Sequence, residues 1–421
     1  MRLRGSWEVY QDRAALSELP PTIATVLERH GLTDQTTRSV QFVGCIAFKD
    51  YQVAFVPLGV LERASTKNIW DYLRLVMNVL DESERYLPQA HTIPSEDDDQ
   101  RVEIVSVARD LFEEYAAHGL HTQRAPRYER GRSGTVSWSR TIARSVPFIV
   151  DDVTPVYPET VVRRVVSSET SLLRRAQETA LREIWDVLWW WLIIATGVDL
   201  PKTVQVRLLP NERNSLLEQL YAYRDRRYDD RGLRLIELLI RYFQASQLEE
   251  GADKIFGSAS FEHVWEEMLK RILGVVESPW MGRTPKIAYR YKDEHSASVL
   301  GFRLDPDFVI EADGEVLLLD AKYYAATDSK TSPPLADVYK QMAYQMALES
   351  RLASMGRPET RIRNAFLFPS SPSGGPWKDL AFILNDGAHA NSLIEYLYLD
   401  TEDVMRAYLK DARLSLDTLV R

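Results

Sequence analysis

Two aspartates and a lysine stand in a stretch otherwise fit for a protein core: FRLDPDFVIEADGEVLLLDAKYY, from Phe302 to Tyr324. Asp307 follows a proline at the head of one apolar run, and Asp320 and Lys322 close the next. Charge buried among apolar side chains is costly unless it is paired or held on a metal. The intervening Asp313-Gly314 is a two-residue hairpin signal, because both residue types tolerate the positive φ of such a turn. A hairpin centred there sets Asp307 opposite Asp320, with Cβ atoms about 5 Å apart. Strand side chains alternate, so Lys322, two residues past Asp320, joins the same face. Carboxylates that close repel unless one is protonated or a cation lies between them. Mg²⁺ seeks oxygen and keeps several waters, which suits two carboxylates and a phosphate. A lysine beside such a site can orient or deprotonate a water for in-line attack on phosphorus. The competing reading is a cross-strand salt bridge in which Lys322 neutralises two surface acids. VLLLDA weighs against it, being apolar on both faces as a central strand is.

Helices must flank such strands. Upstream, SASFEHVWEEMLKRILGVV carries Val264, Trp265, Met268, Leu269 and Ile272 on one helical face, leaving acids elsewhere that could supply a third ligand. Downstream, PPLADVYKQMAYQMALESRL opens a helix after two prolines, with Asp337 in its first turn. Lys340, Gln341 and Tyr344 recur there at one-turn spacing, placed to face a phosphate backbone or to brace the site. RIRNAFLFPSS then reads as a further strand, apolar from Ala365 to Phe368 and ended by Pro369.

The remainder of the 421 residues is too much chain for one ordinary domain. Hydrophobic residues make up 45% and charged ones 27%, an ordinary globular balance. A net charge of -9 argues against non-specific coating of nucleic acid, though not against a local basic groove. One cysteine, Cys45, excludes an intramolecular disulfide framework and suits a reducing cytoplasm. No zinc-ligand spacing appears among the seven histidines. No signal peptide is visible in MRLRGSWEVYQDR. The apolar run VLWWWLIIATGV, Val187 to Val198, is too short for a bilayer helix of about 20 residues and reads as a buried core helix.

Three regions are expected along the chain: 1–120, mixed α/β with a hairpin around Lys49-Asp50; 121–250, a basic loop followed by helices; and 251–421, the domain holding the three charged residues. PSEDDDQ, Pro94 to Gln100, is an acidic link, and Gly251-Ala252-Asp253 reads as a hinge. The stretch from Arg124 to Arg144 holds six arginines and one acid, Glu129. Its arginines, Arg127, Arg130 and Arg132 among them, either contact phosphates or pair with the chain's own carboxylates. No G-x-x-x-x-G-K-[ST] phosphate loop occurs, so nothing marks the chain as a nucleotide hydrolase.

Helix with acid, PDFVI, hairpin, LLLDAKYY and a helix with KQMAY together resemble the PD-(D/E)xK nuclease core, whose order is αβββαβ. D-A-K followed by Tyr, with DVYKQMAY after it, is similar to the McrC branch. FVGCIAF, VPLG, GTVSWSRTIARSVPFIVDDVTPVY, VWEEMLKRIL and NAFLFP resemble the LlaJI-type restriction endonucleases, over Phe42 to Pro369. The resemblance implies an α/β restriction-endonuclease-like domain after a mixed α/β and helical region. It implies a cytoplasmic bacterial enzyme that hydrolyses phosphodiesters of double-stranded DNA in defence against foreign DNA, using Mg²⁺ or Mn²⁺. Asp307 and Asp320 match the metal-binding acids, Lys322 the lysine, and Glu266 the helix acid, with Glu262 an alternative frame. Gln341 matches the glutamine of the last helix, with Lys340 as the alternative, and Tyr344 keeps its offset. The shorter Asp320 stands where Glu is commoner. The branch works with a separate McrB-like AAA+ GTPase, and one site per chain implies a homodimer or pairing within an assembly for a double-strand cut. A stand-alone sequence-specific endonuclease, and a DNA-binding or scaffold protein with an inactive nuclease fold, are the rival readings; no membrane role is expected.

Overall fold

The computed structural model describes residues 7–48, 51–62, 64, 68–85, 104–131, 133–151, 153–168, 171–208, 212, 215–225, 229–245, 253–274, 286–289, 299–303, 306–312, 314–326, 331–370, 375, 378–383 and 389–415. They fall into two compact units, one made of 1–109 and 244–421, the other of 110–243. The described residues up to Arg85 thus belong to the same compact unit as those from Asp253 onward.

The first unit begins with β1 (Trp7–Gln11), α1 (Pro21–Arg29), β2 (Thr33–Asp34), β3 (Ser39–Val40), β4 (Val43–Phe48), β5 (Tyr51–Val56) and α2 (Ile69–Glu84). The second contains most of α3 (Val105–His118), then β6 (Gln123–Arg130), β7 (Thr135–Val136), α4 (Trp138–Arg144), β8 (Phe148–Val150), β9 (Thr154–Val156), β10 (Val161–Ser168), α5 (Leu172–Thr196), α6 (Leu216–Arg224) and α7 (Asp230–Ala245). The chain then returns to the first unit with β11 (Lys254–Ser258), α8 (Phe261–Ile272), β12 (Lys286–Tyr289), β13 (Val299–Arg303), β14 (Phe308–Ala312) and β15 (Glu315–Ala321). It ends with α9 (Leu335–Ser354), β16 (Ile362–Ser370), β17 (Asp379–Ile383), β18 (His389–Asp400) and α10 (Thr401–Leu409).

The expected N-terminal hairpin is present, with β4 and β5 antiparallel and Phe48 opposite Tyr51; its turn, Lys49-Asp50, lies outside the described residues. That hairpin is joined to the C-terminal half by β11, which pairs antiparallel with β4 in a sheet ordered β1-β5-β4-β11. Gly44 faces Gly257 across this pair. A Cβ on Gly257 would lie 2.2 Å from the Val43 carbonyl oxygen, so the close approach of the two backbones requires glycine.

The second sheet is ordered β14-β15-β16-β18-β17. β14 and β15 form the expected hairpin, with Phe308 opposite Leu319 and Val309 opposite Leu318. β16 lies parallel to both β15 and β18. Parallel neighbours need a crossover, which α9 supplies between β15 and β16. Val316 and Leu318 on alternate positions of β15 pack with Val309 and with Tyr344, Leu348 and Leu352 of α9. α8 packs with α10 and α2, and its Trp265 indole N–H donates to the Leu367 carbonyl at 3.5 Å. Among the described residues four strands, not three, lie between α8 and α9, and β12 and β13 pair with each other as a two-stranded ribbon. β16 runs through Pro369, opposite Leu399, to Ser370, one residue beyond the expected stop. A proline near a strand end loses little of the ladder.

In the second unit the expected basic loop is instead a strand, because β6 pairs with β10 from Gln123 to Arg130. The tryptophan-rich run lies in the 25-residue α5. Val187, Leu188, Trp190, Trp191 and Leu192 are buried as expected, whereas Trp189, Ile193 and Ile194 are exposed. No helix among the described residues is long and apolar enough to cross a membrane. The acidic link at 94–100 and Gly251-Ala252 of the expected hinge lie outside the described residues.

Candidate active site

The charged cluster forms where β15 leaves the sheet on the face covered by α9. Asp320 is the last residue but one of β15 and is only 2% exposed. Its position is set by the parallel ladder, in which it aligns with Phe366; the backbone bond from Lys322 N–H to the Leu367 carbonyl, 2.9 Å, carries that ladder past the strand's end. Alternation then brings Lys322 back to the face of Asp320. Its ammonium lies 2.7 Å from Asp320 Oδ2 and 3.1 Å from Asp337 Oδ2, and 5.6 Å from the centre of the Phe366 ring. Asp307 precedes β14, and its Oδ2 accepts the Ala321 N–H at 2.9 Å, which ties it to the end of the opposite strand.

The electrostatics follow from that crowding. Burial and the Asp320 charge, with a further push from Glu266, raise Asp307 to about 7 against the pull of the Ala321 N–H and Lys322. Burial also raises Asp320, although Lys322 opposes it. Burial works against the Lys322 ammonium, yet the charges of Asp320 and Asp337 leave its pKa above the ordinary lysine value. The cluster therefore concentrates negative charge among buried and partly buried side chains and sets the Lys322 ammonium between Asp320 and Asp337.

The remaining expected site residues separate into distinct roles. Gln341 is 1% exposed, and its amide donates to Asn364 Oδ1 at 2.8 Å and to the Leu318 carbonyl at 3.4 Å. It braces α9 against β15 and β16. Lys340 is exposed; its ammonium lies 5.5 Å from the centre of the Tyr344 ring, and it feels the charges of Asp320 and Asp307. Of the two α9 alternatives, Lys340 is exposed and Gln341 is buried. Tyr344 is 4% exposed, with its ring in the core between α9 and the sheet. Glu266 is bonded to Lys270 one turn along α8, and its charge reaches Asp307. Glu262 is engaged elsewhere, 3.2 Å from Arg13. No cluster of three or more acidic, histidine or cysteine side chains suited to a metal occurs among the described residues.

Asp337 is the member that a nuclease signature does not single out. Its signal in the sequence is modest, an acid in the first turn of the helix following the lysine strand. Its pairing with Lys322 depends on how α9 lies on the sheet.

The basic strand β6 is partly self-neutralised. Arg130 lies 3.0 Å from Glu159, Glu129 lies 3.0 Å from Arg164, and Arg140 stacks 3.7 Å from the centre of the Tyr128 ring. Arg127 lies on β6 opposite Arg164, and Arg132 lies outside the described residues.

The LlaJI restriction endonuclease family matches residues 42–385, most of the chain and both compact units. The chain belongs to the LlaJI restriction endonuclease family. It is thus a nuclease component of a restriction system. No curated protein matches it. Among solved structures, a half-complex of Thermococcus gammatolerans McrB AAA+ hexamers with bound McrC contains a similar chain, 13% identical with a TM-score of 0.42, over 96% of this chain and 99% of that one. The McrBC complex of the same organism contains another, 12% identical with a TM-score of 0.27, over 64% and 87% respectively.

Proposed function

We propose that this LlaJI-family chain hydrolyses DNA phosphodiesters with Mg²⁺ at Asp307 and Asp320, in a PD-(D/E)xK nuclease core. The observation that carries this reading is the convergence of Asp307, Asp320 and Lys322 on one face at the end of a central strand. Two mutually repelling carboxylates, one raised to about 7, fit a dication. Carboxylate oxygens from a few acids suit Mg²⁺, which retains several waters. Such an ion, when bound, polarises the scissile phosphate and activates a water for in-line attack. Lys322, anchored by Asp320 and Asp337, presents its ammonium to the developing negative charge, the kind of preorganised donor that stabilises a transition state. Lys340, exposed on α9, approaches the DNA backbone. Gln341 keeps α9 seated, so that Asp337 stays within reach of Lys322. Glu266, whose charge already reaches Asp307, is the third acid once Lys270 is displaced.

The test is cleavage of supercoiled DNA by purified protein with Mg²⁺, with Mn²⁺ and with EDTA, each with and without a cognate AAA+ GTPase. Metal-dependent cutting abolished by EDTA is expected; cutting undiminished by EDTA would overturn the reading. The absence of a phosphate loop from the sequence supports a motor supplied by a separate chain. Cutting at full rate without that partner would favour the stand-alone reading, and no cutting under any condition the inert scaffold.

The 110–243 unit supplies the partner-binding or DNA-binding surface in this reading. Trp138 and Ile142 are exposed there on α4, which also carries Arg140 and Arg144, and Phe148 and Ile149 are exposed on β8. Replacing Arg127, Arg130 and Arg132 by Ala is expected to weaken DNA binding and flatten its salt dependence, by about 0.9 in log-log slope for each phosphate no longer neutralised. An unchanged slope with a lowered melting temperature would assign these arginines to internal ion pairs such as Arg130 with Glu159.

A further inference from the structure

Next to Lys322, on the opposite side of the strand exit, lies Tyr323, which is buried and tied to chain from the far N-terminal part of the same unit. Its hydroxyl accepts the Leu58 N–H at 3.2 Å and faces the buried carboxylate of Asp12. Its ring packs against Phe261 at 5.3 Å and Trp265 at 6.4 Å, both from α8. The guanidinium of Arg13 lies 5.8 Å from the ring centre and 3.2 Å from Glu262.

These partners are themselves fixed. Asp12 accepts the Phe42 N–H at 3.1 Å and the Arg13 N–H at 2.9 Å, and its own N–H donates to the Val56 carbonyl at 2.8 Å. The Leu58 carbonyl accepts the Thr401 hydroxyl at 2.7 Å, and the same hydroxyl lies 3.2 Å from the Ser370 carbonyl at the end of β16. The segment following β5 is thereby pinned to the end of β16, the strand beside β15.

We infer that Tyr323 is a positioning residue for the reaction: anchored by Asp12 and Leu58 on one side of the strand exit, it holds Lys322 toward Asp320 and Asp337 on the other. The reason is geometric. Lys322 and Tyr323 are consecutive in extended chain and project to opposite sides. Beyond Ala321 the strand has ended, and among the described residues this backbone is held by the Lys322–Leu367 bond, by the tyrosine and, further on, by the packing of Tyr324 on Phe368. Fixing one side chain fixes the direction of its neighbour. The N-terminal part of the chain therefore acts on the chemistry through Tyr323 without touching substrate. Asp12 is also raised to about 7 by its burial, as befits a carboxylate kept inside for its hydrogen bonds. This inference rests on the proposed role of Lys322, and its test separates the two.

The experiment uses full-length, metal-free protein with ¹³C at the lysine ε carbons, the Lys322 signal being assigned from Lys322→Arg. In the wild type, a Lys322 held by two carboxylates gives two distinct ε-proton shifts. Tyr323→Phe keeps the ring and removes the hydroxyl, so those shifts are expected to merge while the melting temperature changes little. In the cleavage assay the same variant is expected to turn over roughly tenfold more slowly with DNA affinity unchanged, as small misplacements of reacting groups do. Asp12→Asn keeps acceptors for the Phe42 and Arg13 N–H groups and removes the charge facing the phenol, and should show the same spectral change. A wild-type Lys322 spectrum in both variants would overturn the inference. Merged shifts together with full cleavage by Lys322→Ala would leave the tether standing and sink the catalytic reading of the lysine.

Discussion

Lys322→Ala is expected to slow DNA cleavage on the order of 10²–10⁴-fold, the range for removing a group that acts in the transition state. The loss should fall on turnover and not on DNA affinity, because the ammonium is held inside the site by Asp320 and Asp337 and not at the DNA-facing surface. Folding should survive. The alanine removes a half-buried cation from two acids, and the Lys322 backbone bond to Leu367 does not depend on the side chain. Lys322→Ala cutting at the wild-type rate with Mg²⁺ would refute the assignment. The same variant tests how many sites a double-strand break needs. Mixed in excess with active protein, it should cause nicked circles to accumulate if two copies cooperate.

Asp320→Ala should be as damaging to cleavage and more damaging to the fold. Here two effects compete. Removing Asp320 relieves Asp307 of a like charge, which favours the ionised Asp307. It also strips Lys322 of its nearest carboxylate at a place where burial already disfavours the ammonium. The second effect is the larger, because a charged hydrogen bond contributes about 1.5–3 kcal/mol and its loss leaves a poorly solvated cation. Asp337 remains at 3.1 Å and limits the damage. The expected result is a metal-free protein with a lower melting temperature than the wild type, no detectable cleavage, and Mn²⁺ binding weakened in titration calorimetry. A variant of unchanged stability that still bound Mn²⁺ normally would remove Asp320 from the metal site.

Local pattern was enough for the hairpin at the heart of the site. Asp313-Gly314 and the alternation on either side settled the register, which the structure repeats in Phe308 opposite Leu319. The apolar face of α8 was equally legible: Val264, Trp265, Met268, Leu269 and Ile272 are all buried. Such features rest on periods of two or 3.6 residues, which a chain carries whatever surrounds it. The basic stretch misled because Gln123–Arg130 lacks an apolar alternation; its strand exists through pairing with β10, not through its own pattern.

What the chain by itself determined was the shared face of Asp307, Asp320 and Lys322, since one turn and one alternation suffice for that. What only the tertiary structure decided was who meets them. Asp337 reaches Lys322 because α9 crosses over the sheet, and Gln341 turns inward because Asn364 of the parallel β16 waits there. Asp12 and Leu58 reach Tyr323 because β11 pairs with β4, where Gly44 and Gly257 let the backbones close. These pairings join segments far apart in the sequence. They follow from surfaces that form only after the elements have packed, so no local period announces them.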